Sequence, residues 1–194
     1  MTSAADLQKQ GVEMFMQRDY EAAADLFKQA KSAYEAEGKA DLAAEMQVNL
    51  GLIDRTLGNY ESAVNAMNEA RKVFVEIADQ SREAQVLGNL GGVYLAQGNS
   101  EQALTYYREA ADTFRDLKDT ERYGQTLLAI AEIQMKGGKL MQAAATYEVA
   151  LDNIAELNLR QKVMRSLIGL KNRLTGTGVP KEDTSTDTSP TEKH

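Results

Sequence analysis

Apolar residues between Met1 and Thr175 recur at i, i+3, i+4 and i+7 in runs of about one helix length, and strand-like alternation is absent. Pairs of turn residues, Arg18-Asp19, Gly58-Asn59, Gly98-Asn99 and Gly138-Lys139, separate the runs. The pattern predicts first helices over Lys39 to Leu57, Gln80 to Gln97 and Thr120 to Lys136, and second helices over Tyr60 to Ile77, Ser100 to Leu117 and Leu140 to Leu157. Each would be about 25 Å long at about 1.5 Å per residue. Both prolines, Pro180 and Pro190, lie beyond these runs, so nothing interrupts the helical reading.

The chain resembles itself under one fixed shift, the shift that carries Ala23 onto Ala63. Alanines form columns at Ala23, Ala63, Ala103, Ala143 and at Ala30, Ala70, Ala110, Ala150. Bulky residues form others at Tyr34, Phe74, Phe114, Ile154 and at Phe27, Met67, Tyr107, Tyr147. Leu50, Leu90 and Ile130 make a leucine-like column that Gln10 breaks, and small residues stand at Gly11, Gly51, Gly91 and Ala131. A gapless period of this kind predicts stacked helix hairpins. Gly88, Gly91 and Gly92 fall inside one helical run, where each costs about 1 kcal/mol relative to alanine. For Gly91 the small-residue column supplies the reason: it faces its partner helix at close range.

These residues carry a family resemblance. Leu87-x2-Leu90-Gly91-x2-Tyr94, followed by Ala103-x3-Tyr107, resembles the tetratricopeptide repeat signature, with leucine in place of the usual tryptophan. At roughly 40 residues the unit is longer than the common tetratricopeptide unit of roughly 34 residues. No proline ends a repeat, and the longer unit is similar to the repeats of kinesin light chains. The resemblance implies an all-α fold, a right-handed tetratricopeptide superhelix, or α-solenoid, of four helix pairs over residues 4–157 (about 1–38, 39–78, 79–118 and 119–157). Beyond them LRQKVMRSLIGLKNRL places Val163, Leu167, Leu170 and Leu174 at helical spacing, and residues 158–175 are expected to form a helix that caps the last exposed apolar face. Residues 176–194 are rich in Thr, Ser, Asp and Gly and are expected to be a disordered tail.

Composition then narrows the chemistry. With 43% apolar and 26% charged residues the balance is that of a globular protein. No secretory leader and no 18-residue apolar run is present, so a cytoplasmic protein with no membrane span is expected. There is no cysteine, which excludes thiolate metal sites and cysteine nucleophiles. The net charge of −7 opposes a nucleic-acid footprint. Up to Asn158 there are 15 basic and 25 acidic residues, a net of −10, whereas Leu159 to Thr175 holds five basic residues and no acidic one. The single histidine is His194, no phosphate-loop motif follows a strand, and no catalytic residue, metal site or cofactor is expected.

A groove is the better candidate. The resemblance implies that the first helices line a concave surface, whose positions hold Val12 with Ala5, Gln8 and Lys9 in the first repeat, and Leu52 and Arg55 with Glu45 and Val48 in the second. They hold Gln85, Leu95 and Ala96 in the third, and Gln125, Leu128 and Glu132 with Met135 and Lys136 in the fourth. Grouped apolar residues rimmed by polar ones suggest a binding surface. Gly88 and Gly92, one turn apart, predict a dent open to a partner's backbone, with drift on a tolerant exposed helix as the alternative. Asn49 and Asn89 stand in the equivalent VNLG and GNLG stretches. In kinesin-light-chain-like repeats this asparagine hydrogen-bonds the main chain of an extended peptide, and an amide, donor and acceptor at once, suits that task. The carboxylate clamp of tetratricopeptide co-chaperones is matched at Asn49 alone. The expected function is an adaptor or scaffold that binds a peptide or helix of a partner protein. The alternative is a structural protein that self-assembles into a homo-oligomer with no separate peptide ligand.

Overall fold

The computed structural model describes residues 2–176 as helices and short junctions, with no strand among them. The first compact unit, Met1–Glu156, contains α1 (Ala4–Met16), α2 (Tyr20–Ala36), α3 (Ala40–Leu57), α4 (Tyr60–Glu76), α5 (Gln80–Ala96), α6 (Ser100–Asp116), α7 (Thr120–Lys136) and α8 (Leu140–Asn153). Each helix packs against the next, and α3 also touches α5. The second unit, Leu157–His194, contains α9 (Leu159–Thr175). The expected tail lies, from residue 177 on, outside the described residues.

The junctions are as regular as the columns. A left-handed residue ends a helix at Arg18, Gly38, Gly58, Ala78, Gly98, Lys118 and Gly138, a constant interval of half a repeat. The next amide turns back onto the preceding helix: the N–H groups of Asp79 and Asp119 donate to the carbonyls of Phe74 and Phe114 at 2.8 and 2.9 Å, the closure that satisfies a helix's last carbonyls. That same residue then opens the following helix. Asp19, Asp79, Asn99 and Asp119 each accept a hydrogen bond from the amide three residues on.

Small residues set the spacing of the helices. A Cβ on Gly11 would stand 2.8 Å from the Phe27 ring, one on Gly51 3.1 Å from Met67, and one on Gly91 3.0 Å from three atoms of the Tyr107 ring. The small column therefore receives the bulky residue of the following helix, as expected for Gly91. A second column, unnoticed in the sequence, is Ala4, Ala44, Ala84 and Gly124, all buried; the first three share core clusters with Tyr34, Phe74 and Phe114, and Gly124 meets Ile154.

The break at Gln10 acquires a reason. Met46 and Ile53 pack into the core of the first repeat, and Val86, Leu90 and Val93 into that of the second. The corresponding residues of α1 are Asp6, Gln10 and Glu13, which are exposed. The outer face of α1 is thus polar at the positions where α3 and α5 carry packed apolar residues.

One expectation fails near residue 158. α8 stops at Asn153 rather than Leu157, because Ile154 is extended (φ −100°, ψ 123°). Asn158, where the left-handed residue would fall, is instead an extended N-cap whose side chain accepts from the Gln161 amide while Gln161 Oε1 accepts from the Asn158 amide, at 3.0 and 2.8 Å. Leu159 occupies the place of the capping Asp79 and Asp119, so the cap moves back by one residue. Val163, Leu167 and Leu170 of α9 are 52%, 56% and 54% accessible.

Candidate groove on the first helices

A concave site lies between α3 and α5. It is a hollow of about 440 Å³ lined by Gln8, Glu45, Val48, Asn49, Leu52, Phe74, Arg82, Gln85, Val86 and Asn89. Seven of the residues expected from the sequence, Gln8, Glu45, Val48, Asn49, Leu52, Gln85 and Asn89, thus meet in one place. Asn49 and Asn89 are half-buried, and among the described residues neither side-chain amide has a hydrogen-bond partner. Gln85 is less available, since its Nε2 donates to the Ser81 carbonyl at 3.2 Å.

One wall is an ionic cluster that the sequence reading missed. Arg82 reaches Asp79 at 2.6 Å, Glu45 at 2.9 Å and Asp41 at 3.2 Å, and its guanidinium lies 5.0 Å from the centre of the Phe74 ring. Burial works against its charge, but hydrogen bonds to the three carboxylates outweigh it and raise its pKa further. Asp79 is held below the usual carboxylate range, first by the Arg82 backbone amide and, against the opposing effect of burial, by the Arg82 side chain. The cluster ties α3 to α5 across two repeats. The spacing Phe74-x4-Asp79-x2-Arg82 recurs as Phe114-x4-Asp119-x2-Arg122, and that recurrence was the legible signal. Arg122 meets Asp119 at 2.6 Å, but Ser81 and Gln85 stand where the second and third carboxylates would be.

The remaining expected residues are spread along the same helices. Val12 lines a separate hollow of about 430 Å³ with Ala5, Gln8, Lys9 and Glu13. Gln8 borders both hollows and accepts a hydrogen bond from the Tyr34 hydroxyl at 2.7 Å. Leu95 and Leu128 are half-buried and Gln125 is exposed, its Nε2 donating to Glu121 at 2.8 Å. Glu132 pairs with Lys136 at 2.8 Å. No group of three or more His, Cys, Asp or Glu residues able to hold a metal occurs among the described residues.

The dent expected at Gly88 and Gly92 needs correction. Nothing lies within 4 Å of a Cβ placed on Gly88, so that half is open. A Cβ on Gly92 would stand 2.6 Å from Arg55 Nη1 and 3.5 Å from the Tyr107 hydroxyl. Gly92 is covered by an arginine from α3, which helical periodicity does not reveal. Gly88→Leu is therefore expected to raise the free energy of unfolding by up to about 1 kcal/mol, because a good helix former replaces glycine in open space. Thermal unfolding checks it, and a loss of stability would place Gly88 in a packed interface.

Residues 1–171 match the family described as "SNAP: Soluble NSF attachment protein, SNAP". No curated protein matches the chain significantly. Among solved structures, BtubC (BKLC) from P. vanneervenii is similar over 98% of this chain and 87% of that one, at 15% identity and a TM-score of 0.71. Aspartyl phosphate phosphatase F from Bacillus subtilis is similar over 89% of this chain and 48% of that one, at 17% identity and a TM-score of 0.77. The apo form of the quorum sensor NprR from B. thuringiensis is similar over 88% of this chain and 49% of that one, at 17% identity and a TM-score of 0.65. The chain thus spans about half the length of the latter two, and at such identities the likeness is one of fold: an α-solenoid of tetratricopeptide-like helix pairs.

Proposed function

This chain belongs to the soluble NSF attachment protein family, and we propose that it is an adaptor that holds an extended peptide of a partner protein in the groove between α3 and α5. The observation that carries the reading is the pair of half-buried asparagines, one per repeat, whose amides lack partners within the described residues and face one hollow. Both amides keep their donors and acceptors open to the hollow, since neither is among the buried unpartnered atoms, and a peptide main chain offers donors and acceptors to both. Val48, Leu52 and Val86 give apolar contact beside them. The family's description as attachment proteins fits an adaptor, and a non-enzymatic role in the cytoplasm agrees with the same reading. Among the described residues no helix is long and apolar enough to cross a membrane.

The test is affinity capture on the full chain, with mass spectrometry, comparing wild type with an Asn49→Ala, Asn89→Ala double variant. A partner captured by the wild type should bind Asn89→Ala about 1–3 kcal/mol more weakly, through peptide groups left unpaired. The melting temperature of the variants should be unchanged. Equal capture by both proteins rules out the asparagine contact.

A second reading, self-assembly, is favoured by the exposed stripe of Val163, Leu167 and Leu170 on α9. A monomeric mass in light scattering at high protein concentration rules it out.

A further inference from the structure

Three arginines of the first unit are half-buried, and two of them are neutralised internally: Arg71 by Glu83 at 2.9 Å, and Arg82 by three carboxylates. Arg55 is the exception. Among the described residues no carboxylate lies within ion-pair distance of it. Its position is nonetheless built. The guanidinium lies against the bare backbone of α5, with Nη1 2.6 Å and Cζ 3.8 Å from the point where a Gly92 Cβ would stand. The Tyr107 ring rests on Gly91 and brings its hydroxyl to 3.5 Å from the same point. Glycine within a helix is destabilising relative to alanine, and a half-buried guanidinium without a carboxylate partner keeps its donors available. The two choices coincide to set a guanidinium and a phenol side by side over the bare backbone of Gly92. Glu132 of α7, which also faces Tyr107, is engaged by Lys136 at 2.8 Å.

We propose that the counter-charge comes from the ligand: the partner peptide carries an acidic side chain whose carboxylate Arg55 receives over Gly92. This rests on the groove reading above. A guanidinium matches a carboxylate in a two-point fork, and the Tyr107 hydroxyl can donate to the same group. Arg55 follows Asn49 by less than two helical turns, roughly 9 Å along the helix axis at about 1.5 Å per residue. An extended chain covers that distance in about three residues at roughly 3.3 Å each, so one short segment can reach the asparagines and the arginine together.

The probe is a library of short random peptides selected on the immobilised full-length chain and sequenced. Peptides retained by the wild type should carry Asp or Glu at one position, enriched about tenfold over Asn or Gln, as a charge-assisted contact in a half-buried site produces. Arg55→Gln should abolish that enrichment, and Arg55→Lys should keep part of it. Gly92→Ala retains the charge but puts a methyl group where the guanidinium lies, and should also weaken the enrichment. It serves as the deciding variant if circular dichroism shows Arg55→Gln to be unfolded. Peptides selected without acidic preference, or a preference that survives both Arg55→Gln and Gly92→Ala, overturn the anion site and leave the groove reading standing. A wild type that retains no peptide overturns the groove reading, and this proposal with it.

Discussion

Phe74→Ala is expected to lower the free energy of unfolding by about 3–5 kcal/mol, the range for truncating a large core aromatic. The ring is 1% exposed and packs among Ala44, Met67, Ala70, Val86 and Leu90, which come from α3, α4 and α5. Alanine neighbours have little side chain with which to fill the resulting space, so the cavity term should persist. The variant also removes the surface beneath the Arg82 guanidinium, 5.0 Å from the ring centre, an interaction worth about 0.5–1 kcal/mol at a partly exposed site. Damage at this junction should do more than reduce a total. In a linear array each repeat is stabilised mainly by its neighbours, so loosening the contact between the second and third repeats should broaden the transition. Urea denaturation followed by helical circular dichroism measures both effects. A loss below about 1 kcal/mol would mean that the aromatic column is not core.

Gly124→Leu should destabilise the protein by about 1–3 kcal/mol, the usual range for overpacking, although the substitution improves helix propensity by about 1 kcal/mol. The difference from Gly88 is spatial. A Cβ at residue 124 would stand 2.7 Å from Ile154 Cγ1 and 2.8 Å from the Ala150 carbonyl oxygen. The oxygen belongs to the α8 backbone and cannot rotate aside, so α7 and α8 would have to separate. Leucine at the two positions should therefore shift the melting temperature in opposite directions. A rise at Gly124 would show that the two helices do not approach so closely.

Most of the fold was legible because the array repeats one local solution, so columns such as Phe27, Met67, Tyr107 and Tyr147 report a shared contact even without an alignment. Helix ends followed for the same reason, although Arg18, Ala78 and Lys118 adopt the left-handed conformation without being glycine. What failed was information that does not repeat. The side chain that covers Gly92 comes from the preceding repeat, and nothing in the period of α5 records it. The end of α8 was another such case, since the extended Ile154 that stops the helix at Asn153 has no counterpart in the earlier repeats. In the groove, Asn49, Leu52, Gln85 and Asn89 were recognisable from equivalent positions. Arg82 was not, because its role depends on Asp41 and Glu45, which only one repeat supplies.

The junctions recur at a constant interval, and a single residue both closes one helix and opens the next. Junctions one full repeat apart share this backbone geometry, although Lys39, Asn59 and Lys139 lack the side-chain cap made by Asp19, Asp79 and Asn99, and can serve as splice points. Genetic exchange between misaligned copies of the coding sequence would join a closing residue to an equivalent opening one and add or remove a whole helix pair in register. A lineage could in this way lengthen its binding surface by one first helix at a time without inventing a new turn. The polar outer face of α1 and the altered junction before α9 lie outside that exchangeable middle, so recombination would vary the number of repeats while leaving those two features in place.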